Sequence, residues 1–167
     1  MVTLDEQVQT AWSQVESQYQ RRLDLVPNLV ATVQGIADQE RAVFSAVVEG
    51  RAKALQTNVD ISDEASVQNY QEIQAGLSQG LGRLLAVVEN YPDIKSNTNF
   101  SELQAQLEWT ENRITVERMR YNEVAREYNI YIRRFPSNIF AGLLWFDRAN
   151  LFEAQAGAEQ APTVEFN

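Results

Sequence analysis

Apolar residues recur every seven positions along one stretch of the chain: Phe100, Leu107, Ile114, Tyr121, Tyr128 and Phe135, with no Gly or Pro between them. A strict seven-residue apolar repeat predicts one long helix that keeps a single seam against partner helices. The rest of the chain reads as those partners. From about Thr3 to about Leu55 a second stripe runs through Leu4, Val8, Trp12, Val15, Tyr19, Val26, Leu29, Val33, Ile36, Val43 and Val47. Its steps are mostly three and four, the mark of an amphipathic helix. Arg22 and Glu40 fall where this stripe wants apolar groups. Pro27 removes a backbone donor and crowds the carbonyl of Leu23, so the run is expected to kink or stop there, as one bent helix or two in line.

Gln56 to Ser62 reads as a loop, with Ser62 as the expected N-cap of the next helix. That helix runs to about Glu89 on a stripe of Tyr70, Ile73, Leu77, Leu81, Leu84 and Val88. Gly76, Gly80 and Gly82 beside the stripe predict a close approach of another helix. Asn90 to Asn99 is the plainest loop, and Asn99 or Ser101 is the expected cap of the seam helix. Arg133 and Arg134 suit a helix C-terminus, Pro136 stops the helix, and Ser137 is the expected cap of a short helix through about Leu151. The expectation is an all-α fold: an elongated antiparallel bundle of three long helices, the first kinked near Pro27, plus a short C-terminal helix and an extended tail. Residues 1–152 form the bundle domain. Residues 153–167 form a tail, and alternating Val164 and Phe166 suit it to docking on the bundle.

Composition narrows the chemistry. The chain has 167 residues, 44% apolar and 22% charged, enough for one domain with a sizeable core. A net charge of −9 argues against a nucleic-acid partner, because the general field repels phosphate. There is no Cys and no His. Disulfides, thiolate nucleophiles, imidazole acid–base catalysis and the usual zinc ligand sets are therefore excluded. No apolar run reaches 18 residues, so no transmembrane helix is expected, and Met1 to Gln9 lacks the pattern of a signal peptide.

Three groups of residues are candidates for more than packing. The first is a polar layer inside the bundle, drawn from Arg22, Glu111, Arg113 and Glu117. A charge forced toward a core must find a partner, so Arg22 is expected to pair with Glu117 or Glu111 across two helices and fix their register. The second is Asn122 and Asn129, seven apart beside the seam tyrosines. Asn is a poor mid-helix residue. The pair is expected to hydrogen-bond a neighbouring helix or the carbonyl freed at Pro27, or else to hold a ligand or partner. The third is the aromatic end, where Phe135, Phe140, Leu143, Leu144, Trp145, Phe146, Leu151 and Phe152 crowd together. It reads as a cap on the bundle or as an exposed partner surface centred on Phe140, Leu144, Trp145 and Phe146. Arg133, Arg134 and Arg148 are few for a lipid-binding role. Glu123 and Glu127 read as a solvated helix face rather than a metal site. No catalytic, cofactor-binding or metal-binding residue is expected.

The segments RRLDLVPNLVATVQG (Arg21 to Gly35) and ENRITVERMRYNEVAREYNIYIRRFPSNIFA (Glu111 to Ala141) resemble the signature of the LemA family. AWSQVE ahead of the first segment and PTVEF near the end fit the same pattern. The resemblance implies an all-α bundle tethered to a bacterial membrane by one N-terminal helix. This chain departs from that arrangement, since Met1 falls where such an anchor would just have ended. The resemblance brings no catalytic residues. It implies a non-enzymatic, membrane-associated interaction or scaffold protein with protein partners. The polar layer leaves open a ligand-sensing module, and self-association of the bundle is open too.

Overall fold

The computed structural model describes residues 1–153. Its helices are α1 (Val2–Thr32), α2 (Arg41–Gln56), α3 (Glu64–Val88), the single turn α4 (Pro92–Lys95), α5 (Thr98–Arg133) and α6 (Ser137–Leu143), with a 3-10 turn at Gln34–Ile36. Among the described residues there is no strand, so the fold is the expected all-α bundle. The long helices pack as pairs, α1 on α5 and α2 on α3. The seam repeat lies on α5, where Phe100, Leu107, Ile114, Tyr121 and Tyr128 are all buried.

The first stripe is two helices, and they are not in line. α1 continues through Pro27 to Thr32, and the chain turns over residues 33–40 before α2 begins. The Nε–H of Arg51 donates to the carbonyl oxygen of Leu23 at 3.0 Å. Had the helices run in line, these two residues would stand roughly 40 Å apart; instead α2 folds back beside the end of α1. The bond also answers the proline. Pro27 has no N–H for the carbonyl four residues before it, and a guanidinium from the next helix supplies the missing donor. The helix can therefore carry a proline without an orphaned acceptor.

α2 and α3 run antiparallel at close range. A Cβ added to Gly80 would lie 3.5 Å from Val47, and one added to Gly50 would lie 3.4 Å from Leu77. The expected close approach is real at Gly80 and absent at Gly76 and Gly82, which have open space. Gly50, on the opposite helix, is the partner that the α3 pattern did not reveal. The caps also shift by a residue or two. Asp63, not Ser62, caps α3, while Ser62 hydrogen-bonds Asp60 instead. Asn97 caps α5, its side chain accepting from the N–H groups of Asn99 and Phe100. Glu40 breaks the first stripe because it stands at the start of α2, where its carboxylate accepts from Tyr91 Oη.

α6 stops at Leu143, short of the expected Leu151. Trp145 then takes a left-handed backbone with φ 58°, and the chain runs on without regular structure from Phe146 to Glu153. Of the expected tail only Glu153 is described; the rest of it, with the docking of Val164 and Phe166, lies outside the described residues.

The core has two parts. One joins the C-terminal half of α1 to α2, α3 and the start of α5, through Leu29, Val47, Leu77, Leu84 and Phe100. The other joins the N-terminal half of α1 to the start of α3 and the C-terminal half of α5, through Val8, Trp12, Val15, Tyr70, Tyr121 and Tyr128. No helix takes the place of α2 in the second part; Ala149 and Phe152 of the Phe146–Glu153 segment fill it.

The Arg51–Leu23 bond makes a testable claim. Arg51→Ala should cost about 1 kcal/mol, a typical net hydrogen-bond contribution. In a Pro27→Ala background, whose restored N–H serves Leu23 directly, the same change should cost much less. Urea unfolding midpoints of the four chains measure that coupling.

Candidate functional site: a buried arginine and a groove that grips peptide groups

At the junction of the two cores lies Arg22, 1% exposed. One terminal nitrogen of its guanidinium donates to Glu111 Oε1 at 2.7 Å and to the Ser78 hydroxyl. The other donates to the Gln74 carbonyl oxygen at 3.0 Å and to the Gln74 side chain. The guanidinium also lies over the Tyr19 ring, 5.1 Å from its centroid. The layer thus ties α1 to α3 and α5 at one level. Glu111 is the partner among the two expected. Glu117, the other, is buried but pairs with Arg113 of its own helix at 2.7 Å. Arg113 stands one turn away from Glu117, so the local pair serves Oε1 of that carboxylate without a reach across the bundle, while Oε2 has no hydrogen-bond partner among the described residues.

Beside Arg22 is a cavity of about 110 Å³, lined by Tyr19, Gln74, Ser78, Glu111, Thr115 and Arg118 among others. It has polar walls and room for a few waters.

Asn122 and Asn129 reach neither a helix nor Pro27. Each grips both main-chain groups, N–H and C=O, of one residue in the Phe146–Glu153 segment. Asn129 Nδ2 donates to the Ala149 carbonyl oxygen at 2.7 Å, and Ala149 N–H donates back to Asn129 Oδ1 at 3.0 Å. Asn122 does the same to Phe152, at 2.9 and 2.8 Å. The seam tyrosines add a second row: Tyr128 Oη donates to the Asp147 carbonyl at 2.9 Å and Tyr121 Oη to that of Asn150 at 2.8 Å. From α3, Gln71 grips Glu153 in the same two-sided way, at 3.0 and 3.1 Å. Arg118 donates to the Glu153 carbonyl as well. Asn150 N–H donates to the Ile61 carbonyl at 2.9 Å, fastening the segment to the loop before α3.

The spacing explains why the grips fall in step. Seven helical residues advance about 10.5 Å, and three extended residues advance roughly 10 Å. A helix repeating Tyr-Asn every seven residues therefore meets an extended chain every third peptide. Phe152 locks the far end of this strap. Its ring stacks on Trp12 at 5.5 Å, meets Tyr121 edge-on at the same distance, and has the Arg118 guanidinium 4.6 Å above it.

The aromatic end divides. Phe146, Leu151 and Phe152 pack against the second core. Phe140 and Leu144 are exposed, as are Phe135, Ile139, Leu143 and Trp145, the last at 88%. Of the expected partner surface, Phe140, Leu144 and Trp145 face outward, and Phe146 is half-buried. Glu123 and Glu127 stand exposed on the outer face of α5.

The strap yields two predictions. Asn122→Ala and Asn129→Ala each leave the part-buried N–H and C=O of one strap residue without partners, so each should destabilise by about 2–3 kcal/mol. Thermal unfolding reads the loss, and limited proteolysis should then cut first between residues 146 and 153. The second concerns alkaline pH. Burial, with Asp5 and Asp147 adding to it, pushes the Tyr128 phenol to about 12, and burial raises Tyr121 as well. Unfolded tyrosine ionises near 10. The unfolded chain therefore releases these protons first. Stability holds below pH 10 and falls as pH rises toward 12. Tyr128→Phe cannot ionise and should flatten that fall, as thermal melts between pH 9 and 11.5 will show.

Comparison with known proteins places the chain. The pattern of the LemA family matches residues 11–166. The magnetosome protein MamQ 2 of Paramagnetospirillum magneticum is 29% identical over 177 residues, covering 95% of this chain and 65% of that protein. MamQ of Magnetospirillum gryphiswaldense is 27% identical over 176 residues, covering 93% and 65%. Protein LemA of Metamycoplasma hominis is 23% identical over 148 residues, covering 89% and 65%. The chain thus spans about 65% of the length of these curated relatives. With the two signature segments on one continuous bundle and the family pattern running almost end to end, the chain belongs to the LemA family.

Proposed function

We propose that this chain is a non-enzymatic helical interaction module that acts at a bacterial membrane, with the exposed end around α6 as its contact surface for a protein partner. One observation carries the reading. Trp145 is 88% exposed and sits at φ 58°, a backbone position that favours glycine. The left-handed turn itself ends α6, closed by the Phe146 N–H donating to the Ala141 carbonyl, but glycine would make it at less cost and the Trp145 side chain packs on little of the fold, so a large aromatic there serves a contact outside it. Leu143 and Phe135 flank it at 72% and 75% exposure. Together with Ile139, Phe140 and Leu144 they make an apolar patch of the kind that marks interaction sites.

The membrane part of the proposal rests on the family resemblance and on where the patch lies. α1 and α5 are antiparallel: Trp12 meets Tyr121, and Arg22 meets Glu111. The beginning of α1 therefore lies at the α6 end of the bundle, and an N-terminal anchor of the family's type would hold the patch beside the bilayer. The polar layer supports a structural role better than a sensing one, because Arg22 spends both terminal nitrogens on this chain's own groups.

Leu143→Ser with Trp145→Ser tests the reading. Both side chains are exposed, so the melting temperature should stay within a degree or two of the parent chain. With a photo-crosslinking residue at position 144, the parent chain should label one recurring membrane protein in cells, and the double variant should lose it. Equal labelling by both chains would defeat the proposal. Self-crosslinks alone would make the end an interface between copies.

A further inference from the structure

Glu153 is the last described residue of the strap, and the groove that grips the strap extends beyond it. On α3 the row that begins with Gln71 continues at seven-residue steps to Ser78 and Leu85. On α5 the rows that hold the strap, Tyr121 with Asn122, continue to Ile114 with Thr115 and then to Leu107 with Glu108. These continuation residues line open space. Ser78, Ile114 and Thr115 line the cavity of about 110 Å³. Ser78, Leu85, Leu107 and Glu108 line a larger cleft of about 420 Å³ between α3 and α5. Ser78 and Glu111 line both, so the two spaces adjoin along α3 and α5 as one channel that leads away from Glu153 and is crossed by the Ser78–Glu111 hydrogen bond at 3.3 Å.

We propose that this channel is the docking site of the chain's own C-terminal residues, with Gln155 at Thr115 and Ala158 at Glu108. This goes beyond the proposed function and does not depend on the α6 surface. Several observations support it. Glu153, the last described residue, is held at the mouth of the channel by Gln71 and Arg118. The strap already runs antiparallel to α5, so its direction carries the chain into the channel. The three-for-seven register that places Ala149 at Asn129 and Phe152 at Asn122 puts residues 155 and 158 at the next two steps. Neither is proline, and Thr115 and Glu108 carry side-chain oxygens that can accept their N–H groups. Fourteen residues remain after Glu153. The two steps need roughly 21 Å, well within an extended reach of about 46 Å. Ala154, Ala156, Gly157 and Ala158 are small enough for a narrow cleft. The family pattern itself runs on to residue 166, through this segment.

The chain has no Cys, so paired cysteines can report the register in the full chain. A disulfide needs Cβ atoms about 4 Å apart. Thr115→Cys with Gln155→Cys, and Glu108→Cys with Ala158→Cys, should each close within one molecule under mild oxidation. Glu108→Cys with Gln155→Cys, one step out of register, should not. Arg118→Cys with Glu153→Cys checks the method at described residues. Failure of both in-register pairs would overturn the proposal. So would equal closure of all three tail pairs, which marks random collision, and so would crosslinks only between molecules, which would make the occupant a second copy's tail. Ending the chain after Glu153 gives an independent reading. It should lower the melting temperature by several degrees, and an unchanged value would also overturn docking.

Discussion

A buried guanidinium at the centre of a helical bundle leaves little freedom to anything around it. Arg22 must keep its hydrogen-bond partners, because a charge left unpaired in a core costs several kcal/mol. Those partners sit on α3 and α5 at one level, Gln74 and Ser78 on the first and Glu111 on the second. A slide of either helix by one turn would break the set. The layer therefore sets the register of three helices and divides the apolar interior into two parts. On one side α2 completes a four-helix core. On the other the fourth position is filled by an extended strap, whose peptide groups would be stranded in a dry interior without the ladder of Tyr and Asn side chains.

The helical architecture was legible because periodicity is a local signal. The seam from Phe100 to Tyr128, the stripe from Val8 to Val47 and the α3 stripe from Tyr70 to Val88 fall largely on buried positions. Arg22 was legible as a misfit in that stripe, and Glu111 as one of two acids within reach. The misassignment of Glu117 has a simple cause: an arginine one turn away on the same helix competes successfully with an arginine on another. The hairpin between α1 and α2 was not legible, because a stripe of constant spacing says nothing about a reversal in direction. The proline drew the break to itself, whereas Arg51 had already supplied the donor the proline removed.

The strap was half visible. Two Asn at a seven-residue interval beside two Tyr signalled a buried task. Their target did not show, since a residue that reads a peptide group leaves no trace in the side chains it reads. The segment after α6 alternates in no regular way and carries ordinary helix formers, so its sequence reads as more helix. What decides against helix is hydrogen bonding supplied from outside: once Asn129, Asn122 and Gln71 satisfy the main chain, the segment has no need of its own i to i−4 bonds.

The direction in which the strap runs has a mechanical meaning. The beginning of α1 lies at the α6 end of the bundle, and Glu153 lies at its waist, held to Gln71 and Arg118. A pull between those two points acts along the length of the strap rather than across it. The rungs at Asp147, Ala149, Asn150, Phe152 and Glu153 would then share the load in shear, all resisting at once. A pull at right angles would open them singly, from the Glu153 end. A chain fixed at its first helix and tugged through its tail would thus meet its stiff direction, while a protein that lifted the tail sideways would find the soft one.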